Sequence, residues 1–278
     1  MVVPAGSFVM GSTADETTRE GTPDRDAANE KPQHRVTIAK PFAVMKYEVT
    51  RSQFAQFVAA TGHVPPEGCK VWDTETNAWG IMSADHGWRD PGFAQTESHP
   101  VVCVSWGDAL AFATWVSARA GKTYRLLSDA EFEWLLRAGT ITVRWWGDDR
   151  ESACRFANVS DLTKAEALKI AAGPATTFQC RDGFVHTAPV GSFQPNPFGL
   201  HDLFGNAWEW VADCFARTYD GAPADGSARL EGDCSERVIR GGAWHADPWY
   251  VRAAKHDWSP PDLTTARVGF RLARDLEP

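Results

Sequence analysis

Three groups of residues in this 278-residue chain have the types and spacing to do chemistry. The first lies between Phe198 and Trp210. Asp202, Asn206 and Glu209 offer side-chain oxygens, the hard donors that calcium takes. Gly199 and Gly205 permit turns that a Cβ would obstruct, and Phe198, Leu203, Phe204, Trp208 and Trp210 add apolar surface. A tightly turned strand pair around an aromatic core accounts for the same residues without a metal. The second group is residues 244–268, with three Trp, one Tyr, two His, three Asp, two Arg and one Lys. Aromatic faces beside hydrogen-bonding tips suit a peptide, sugar or aromatic small molecule, which makes Trp244, Trp249, Tyr250 and Trp258 candidate ligand contacts. His245 with Asp247, and His256 with Asp257, are candidate acid–base or metal pairs. Neighbours in sequence need not face one way, and solvated side chains around packed Trp are the simpler account. Arg240, Arg252 and Arg271 read as structural, each pairing with a buried carboxylate.

The third group is the six cysteines, Cys69, Cys103, Cys154, Cys180, Cys214 and Cys234. No pair has the CxxC spacing of zinc ribbons or thioredoxin-like sites. An even count in a loop-rich chain favours disulfides and an oxidising compartment, periplasmic or secreted. The sequential pairing 69–103, 154–180 and 214–234 is preferred because each bridge closes a loop rich in turn residues. Six reduced, buried thiols remain the alternative. A formal charge of −8 argues against nucleic-acid binding, which calls for a basic face. No run is long and apolar enough to span a membrane, and none reads as a signal peptide, although a leader trimmed from the start would leave no trace.

The elements that must position these groups are few. Thr50 caps a helix carrying Phe54, Phe57 and Val58 that ends at Gly62. Ser105, with Asp108 in the first turn, opens a second helix reaching about Ala120. Ser128 and Glu131 form a capping box for a third, with Phe132, Leu135 and Leu136, that stops at Gly139. Apolar alternation predicts strands at residues 2–11 and 34–47, then at 101–104, 189–193, 237–242 and 268–273. Residues 12–33 are polar and read as an exposed loop; residues 63–100 read as irregular. No linker composition interrupts the chain, so a single α+β domain over 1–278 is expected.

Several phrases in register add a resemblance. They are Val3-Pro4-Ala5-Gly6-Ser7-Phe8, Pro100-Val101-Val102-Cys103-Val104-Ser105-Trp106, Arg125-Leu126-Leu127-Ser128-Asp129-Ala130-Glu131, Gly205-Asn206-Ala207-Trp208-Glu209-Trp210, Arg240-Gly241-Gly242-Ala243-Trp244 and Gly269-Phe270-Arg271. Over essentially its whole length the chain resembles the formylglycine-generating-enzyme (sulfatase-modifying factor) family. The resemblance implies a variant of the C-type lectin fold with little regular secondary structure, whose ligand face carries residues 244–268. It also implies two calcium sites. One would use Asn158, the Val159 carbonyl, Asp182 and the Phe184 carbonyl. The other would use Asp202, the Leu203, Gly205 and Ala207 carbonyls, and Glu209.

One departure decides the functional expectation. The family's copper-binding cysteine pair follows the Arg-Gly-Gly phrase, and residues 244–268 contain no cysteine. Soft thiolates suit Cu(I), so neither copper nor formylglycine-generating activity is expected at that position. The chain resembles most the stand-alone pyoverdine-maturation branch, exported and without the copper cysteines. The resemblance implies an oxidoreductase maturing a peptide or peptide-derived substrate, its redox metal unspecified. A non-catalytic binding module on the same scaffold, including a retroelement-diversified variable protein, is the alternative.

Overall fold

The computed structural model describes residues 1–73 and 78–276, with the backbone alone at 78, 79 and 81. The three anticipated helices form where their caps place them. Arg51–Thr61 begins at Thr50, whose hydroxyl accepts from the Gln53 N–H, and ends at left-handed Gly62. Trp106–Ala120 begins at Ser105, capped reciprocally with Asp108. Asp129–Arg137 begins at Ser128, with Glu131 reaching back. This last helix stops one residue earlier than expected, because Ala138 itself takes the left-handed turn at φ 46°.

A four-stranded sheet divides the interior. Its order is Val268–Gly269, Trp208–Cys214, Arg237–Arg240, His256–Ser259, with the first pair parallel and the rest antiparallel. Alternation along the central strand sends successive side chains to opposite faces. Trp208 and Trp210 join Phe54, Phe112, Trp244 and Phe270 in one core. Val211 joins Leu127, Phe132, Phe204 and Val238 in the other. Smaller sheets pair Gly6–Met10 with His34–Ile38, Cys69–Asp73 with Ala78–Ser83, and Phe42–Val44 with both Val2–Val3 and Ala273–Asp275.

Several expectations need correction. The α+β class stands, but the lectin variant does not describe these small separate sheets, which are tied together by disulfides and buried Arg–carboxylate pairs. Residues 12–33 are not a free loop. They hold helices Ala14–Glu20 and Asp24–Asn29, and Glu16, Glu20, Asp26 and Glu30 are buried. Their partners are remote in sequence: Arg252 contacts Glu16 at 2.9 Å and Glu30 at 2.5 Å and Lys255 contacts Asp26 at 3.0 Å, all from near the far end of the chain, and Arg144, from its middle, contacts Glu20 at 2.8 Å. A hairpin lies within the supposedly irregular 63–100 region, residues 74–77 of which lie outside those described. No strand forms at 101–104 or 189–193. The cysteines pair in the sequential order, 69–103, 154–180 and 214–234, and none is free.

Candidate functional site

Lys164 is the residue around which a site assembles. It lies in the first turn of helix Leu162–Leu168, whose cap is Asp161: the Asp161 carboxylate accepts from the Lys164 N–H at 2.9 Å. The Cys154–Cys180 bridge fixes the approach, since the Leu162 N–H donates to the Cys180 carbonyl at 3.1 Å. The Lys164 side chain is only 3% exposed. Its ammonium sits 4.8 Å from the Trp72 ring centroid and 5.5 Å from that of Trp244. Trp72 reaches it from strand Cys69–Asp73, anchored by the Cys69–Cys103 bridge.

Lys164 and Trp72 border a cleft of ≈ 330 Å³, also lined by Trp208, His245, Asp247, Tyr250 and Arg267. Trp208 comes from the central strand, and its N–H donates to the Arg267 carbonyl at 2.8 Å. His245, Asp247 and Tyr250 come from the segment after the Arg-Gly-Gly phrase. Burial pushes the Lys164 ammonium down to about 8, against the opposing pull of Asp247 and Asp161. Burial pushes the Asp247 carboxyl up to about 6, with Lys164 opposing. Burial holds the His245 imidazole well below its usual value, assisted by Arg267 and Lys164. Burial, with Asp257 and other nearby carboxylates, raises the Tyr250 phenol. Near neutral pH the cleft therefore presents an ammonium and a carboxylate close to their transitions, a neutral imidazole and an un-ionised phenol.

The structure separates the candidates drawn from residues 244–268. His245, Asp247 and Tyr250 meet in the cleft. Trp244 is fully buried behind it, packed edge-on to Trp72 at 6.2 Å and His186 at 4.8 Å, and is core. Trp249 lies against Tyr250 at 3.7 Å. Trp258 stacks on Phe215 at 4.4 Å, apart from the cleft. His256 and Asp257 do not act as a pair, because neighbours on a strand point to opposite faces. The imidazole of His256 lies 3.2 Å from the Asp129 carboxylate and 3.3 Å from the Tyr219 hydroxyl. Asp257 accepts from the Trp258 N–H at 3.0 Å. Lys164, Trp72 and Trp208 were not among the candidates. The Asp161 cap was a readable signal for a helix there, but no local pattern marks a lysine for burial.

The two calcium sites are corrected. Among the described residues no group of three or more His, Cys, Asp or Glu is arranged to hold a metal ion. Several of the residues named for those sites are engaged in other hydrogen bonds. Arg271 forks onto Glu209 at 2.6 and 2.7 Å. Asp202 accepts from the Gly191 N–H at 2.6 Å. Asp182 accepts from the Val159 and Phe184 N–H groups at 2.9 and 2.8 Å. The Asn158 amide donates to the His186 carbonyl at 2.8 Å, and the Ala207 N–H donates to Glu48 at 3.2 Å. Burial raises Asp202 to about 6, and burial with Asp161 raises Asp182 to about 7. Gly205 serves close approach: at φ 76°, an added Cβ would lie 2.0 Å from the Asn158 carbonyl oxygen. The tight turn holding Leu203 and Gly205 is thus a backbone-packing device.

The model of the sulfatase-modifying factor enzyme 1-like domain matches residues 1–276. The chain belongs to this family. It is 32% identical to a formylglycine-generating enzyme of Streptomyces coelicolor, over 99% of this chain and 88% of that one. It is 30% identical to the inactive C-alpha-formylglycine-generating enzyme 2 of Mus musculus, over 98% of this chain and 84% of that one. The solved structure of PvdO from Pseudomonas aeruginosa superposes with a TM-score of 0.78 at 36% identity, covering 99% of this chain and 94% of that one. The fold is thus the family's own α+β arrangement, which replaces the lectin variant. Within the family this member has no free thiol pair, because every cysteine is in a disulfide. Its residues do not fit a copper–dithiolate centre.

Proposed function

We propose that the chain is an oxidative maturation enzyme, exported, that acts on a peptide or peptide-derived substrate in the Lys164–Asp247 cleft. The observation that carries this reading is the cleft itself: aromatic walls, two cationic side chains and a carboxylate converging in ≈ 330 Å³. Family membership supports an oxidative activity, and three disulfides support an oxidising compartment. A planar group of the substrate lies against Trp72, Trp208 and Tyr250, and Arg267 offers a hydrogen-bonding fork to an anionic substituent. Asp247, ionised above about pH 6, accepts a proton from the substrate, and Lys164, protonated below about pH 8, donates one to the reduced oxygen and is recharged by the second substrate proton. The reaction class is a two-electron oxidation in which the substrate gives two electrons and two protons to dioxygen, forming hydrogen peroxide.

Oxygen uptake with matching peroxide formation tests it, using the purified protein and a panel of peptides and peptide-derived aromatics. The expected result is turnover that falls at least tenfold in Asp247→Asn. Ligand retention with no oxygen uptake would replace the reading by a binding module on the same cleft. The match to a mouse relative named as inactive favours that second reading.

A further inference from the structure

Two lysines are buried in this protein, and they differ in one respect. Lys255 is 1% exposed, lies 5.1 Å from the Trp249 ring, and closes a salt bridge to Asp26 at 3.0 Å. Lys164 is 3% exposed and held between two indoles, but among the described residues no carboxylate oxygen comes within 4.0 Å of its ammonium. Asp247 lines the same cleft and feels its charge, yet the two do not close on each other. A buried lysine without a counter-ion is costly to keep as an ammonium, and folding leaves this one at the wall of a cavity rather than inside the core.

We propose that Lys164 is a nucleophilic amine that captures a carbonyl group of the cleft's ligand as an imine. The nitrogen lone pair attacks the carbonyl carbon, and the carbonyl oxygen takes up a proton to give a carbinolamine. Asp247 in its acid form protonates that hydroxyl. Water leaves as the C=N bond forms, and the proton lost from nitrogen restores Asp247. An aldehyde and an amine thus become an imine and one water, with no oxidant or reductant. The ligand class is an aromatic aldehyde or ketone bearing an anionic group, since Trp72, Trp208 and Tyr250 supply ring faces and Arg267 a fork for the anion. Desolvation supports the role, because with its transition near pH 8 roughly a tenth of the amine is free at pH 7. An exposed lysine titrates near 10.4 and holds less than about a thousandth in that form.

The proposal rests on the cleft being the binding site, as above, but not on the oxidation. Its test is reductive trapping of the full folded protein with 4-formylbenzoate and cyanoborohydride, followed by peptide mapping. The hydride converts the imine to a stable secondary amine, so label marks the reacting lysine. Label at Lys164 is expected to exceed that at any other lysine at least tenfold, with Lys255 unlabelled. Because the amine must be free and Asp247 protonated, the rate should rise to about pH 6, stay level to about 8 and fall above it. Lys164→Arg keeps the positive charge and should abolish the dominant label; circular dichroism checks that it folds. Asp247→Asn should slow labelling at Lys164 severalfold and leave the surface lysines unchanged. Label spread over surface lysines with Lys164 unmodified in the folded protein would overturn the proposal. So would Lys164 labelling with the pH profile of an exposed amine. Oxygen uptake is measured separately, so failure of trapping is distinguishable from failure of the oxidative reading.

Discussion

Two regions that meet around residues 240–256 treat buried charge in opposite ways. In one, Arg240 contacts Asp129 and Glu133, Arg252 contacts Glu16 and Glu30, and Lys255 contacts Asp26, each cation with little or no exposure. In the other, Lys164 and Asp247 share a cleft without closing to a salt bridge. A closed pair holds the fold; an open pair costs stability and leaves protonation states that a ligand can use. The difference is a way to tell scaffold from site.

Breaking the closed side should have the largest effect. Arg252→Met strands two buried carboxylates and should cost about 3–5 kcal/mol, or prevent folding, as read by urea denaturation. The pH dependence has a definite sign. Burial raises the Glu30 carboxyl, but Arg252 more than offsets it and leaves the folded value below the usual range. A depressed carboxylate contributes stability that is present above the unfolded value and lost as pH falls through the folded one. Acid should therefore unfold the wild type, and Arg252→Met should lose part of that acid sensitivity.

Removing the bridge that anchors Trp72 comes next. The double variant Cys69→Ala with Cys103→Ala opens a loop spanning 34 residues and should cost about 2–4 kcal/mol. A thermal melt reads the loss, and weakened ligand binding in the cleft should accompany it.

Lys164→Met should move stability the other way, by about 1–3 kcal/mol toward the folded state at pH 7, while trapping at that position disappears. The sign follows from a base depressed to about 8 from 10.5. Below pH 8 both folded and unfolded chains carry the ammonium, and the folded one bears the full burial cost. Between pH 8 and 10.5 the folded lysine is neutral and the cost fades. The gain from the substitution should shrink over that window in melts at stepped pH. A destabilised Lys164→Met would erase the contrast with Lys255.

The smallest effect belongs to the surface. Arg181 meets Glu166 at 2.7 Å with both side chains more than half exposed. Arg181→Ala should change stability by less than about 1 kcal/mol and leave oxygen uptake and trapping unaltered.

Much of the scaffold was legible because its signals are local. Thr50, Ser105 and Ser128 announce helices through side chain-to-backbone bonds that span three residues. The cysteine order gave the correct pairing, and the phrases from Val3 to Arg271 gave the family. The helices at Ala14–Glu20 and Asp24–Asn29 were hidden because a run of carboxylates resembles solvated loop until its counter-ions are known. Glu30 and Arg252 are 222 positions apart. The candidate site was half legible. His245, Asp247 and Tyr250 belong to the segment that attracted notice, whereas Lys164 and Trp72 enter from elsewhere in the chain.

By itself the sequence determined the family, the capped helices, the disulfide pattern and the want of cysteines after the Arg-Gly-Gly phrase, since all of these are carried by residue type and short spacing. Arg240, Arg252 and Arg271 pair with buried carboxylates as their sequence reading expected, but the tertiary structure alone decided which groups each charge meets. It closed Glu209 onto Arg271 where calcium ligation had been expected, sent His256 to Asp129, and left Lys164 facing a cleft. Burial and pairing are properties of what lies within a few ångströms in space, and here those neighbours are tens to hundreds of positions apart in the chain.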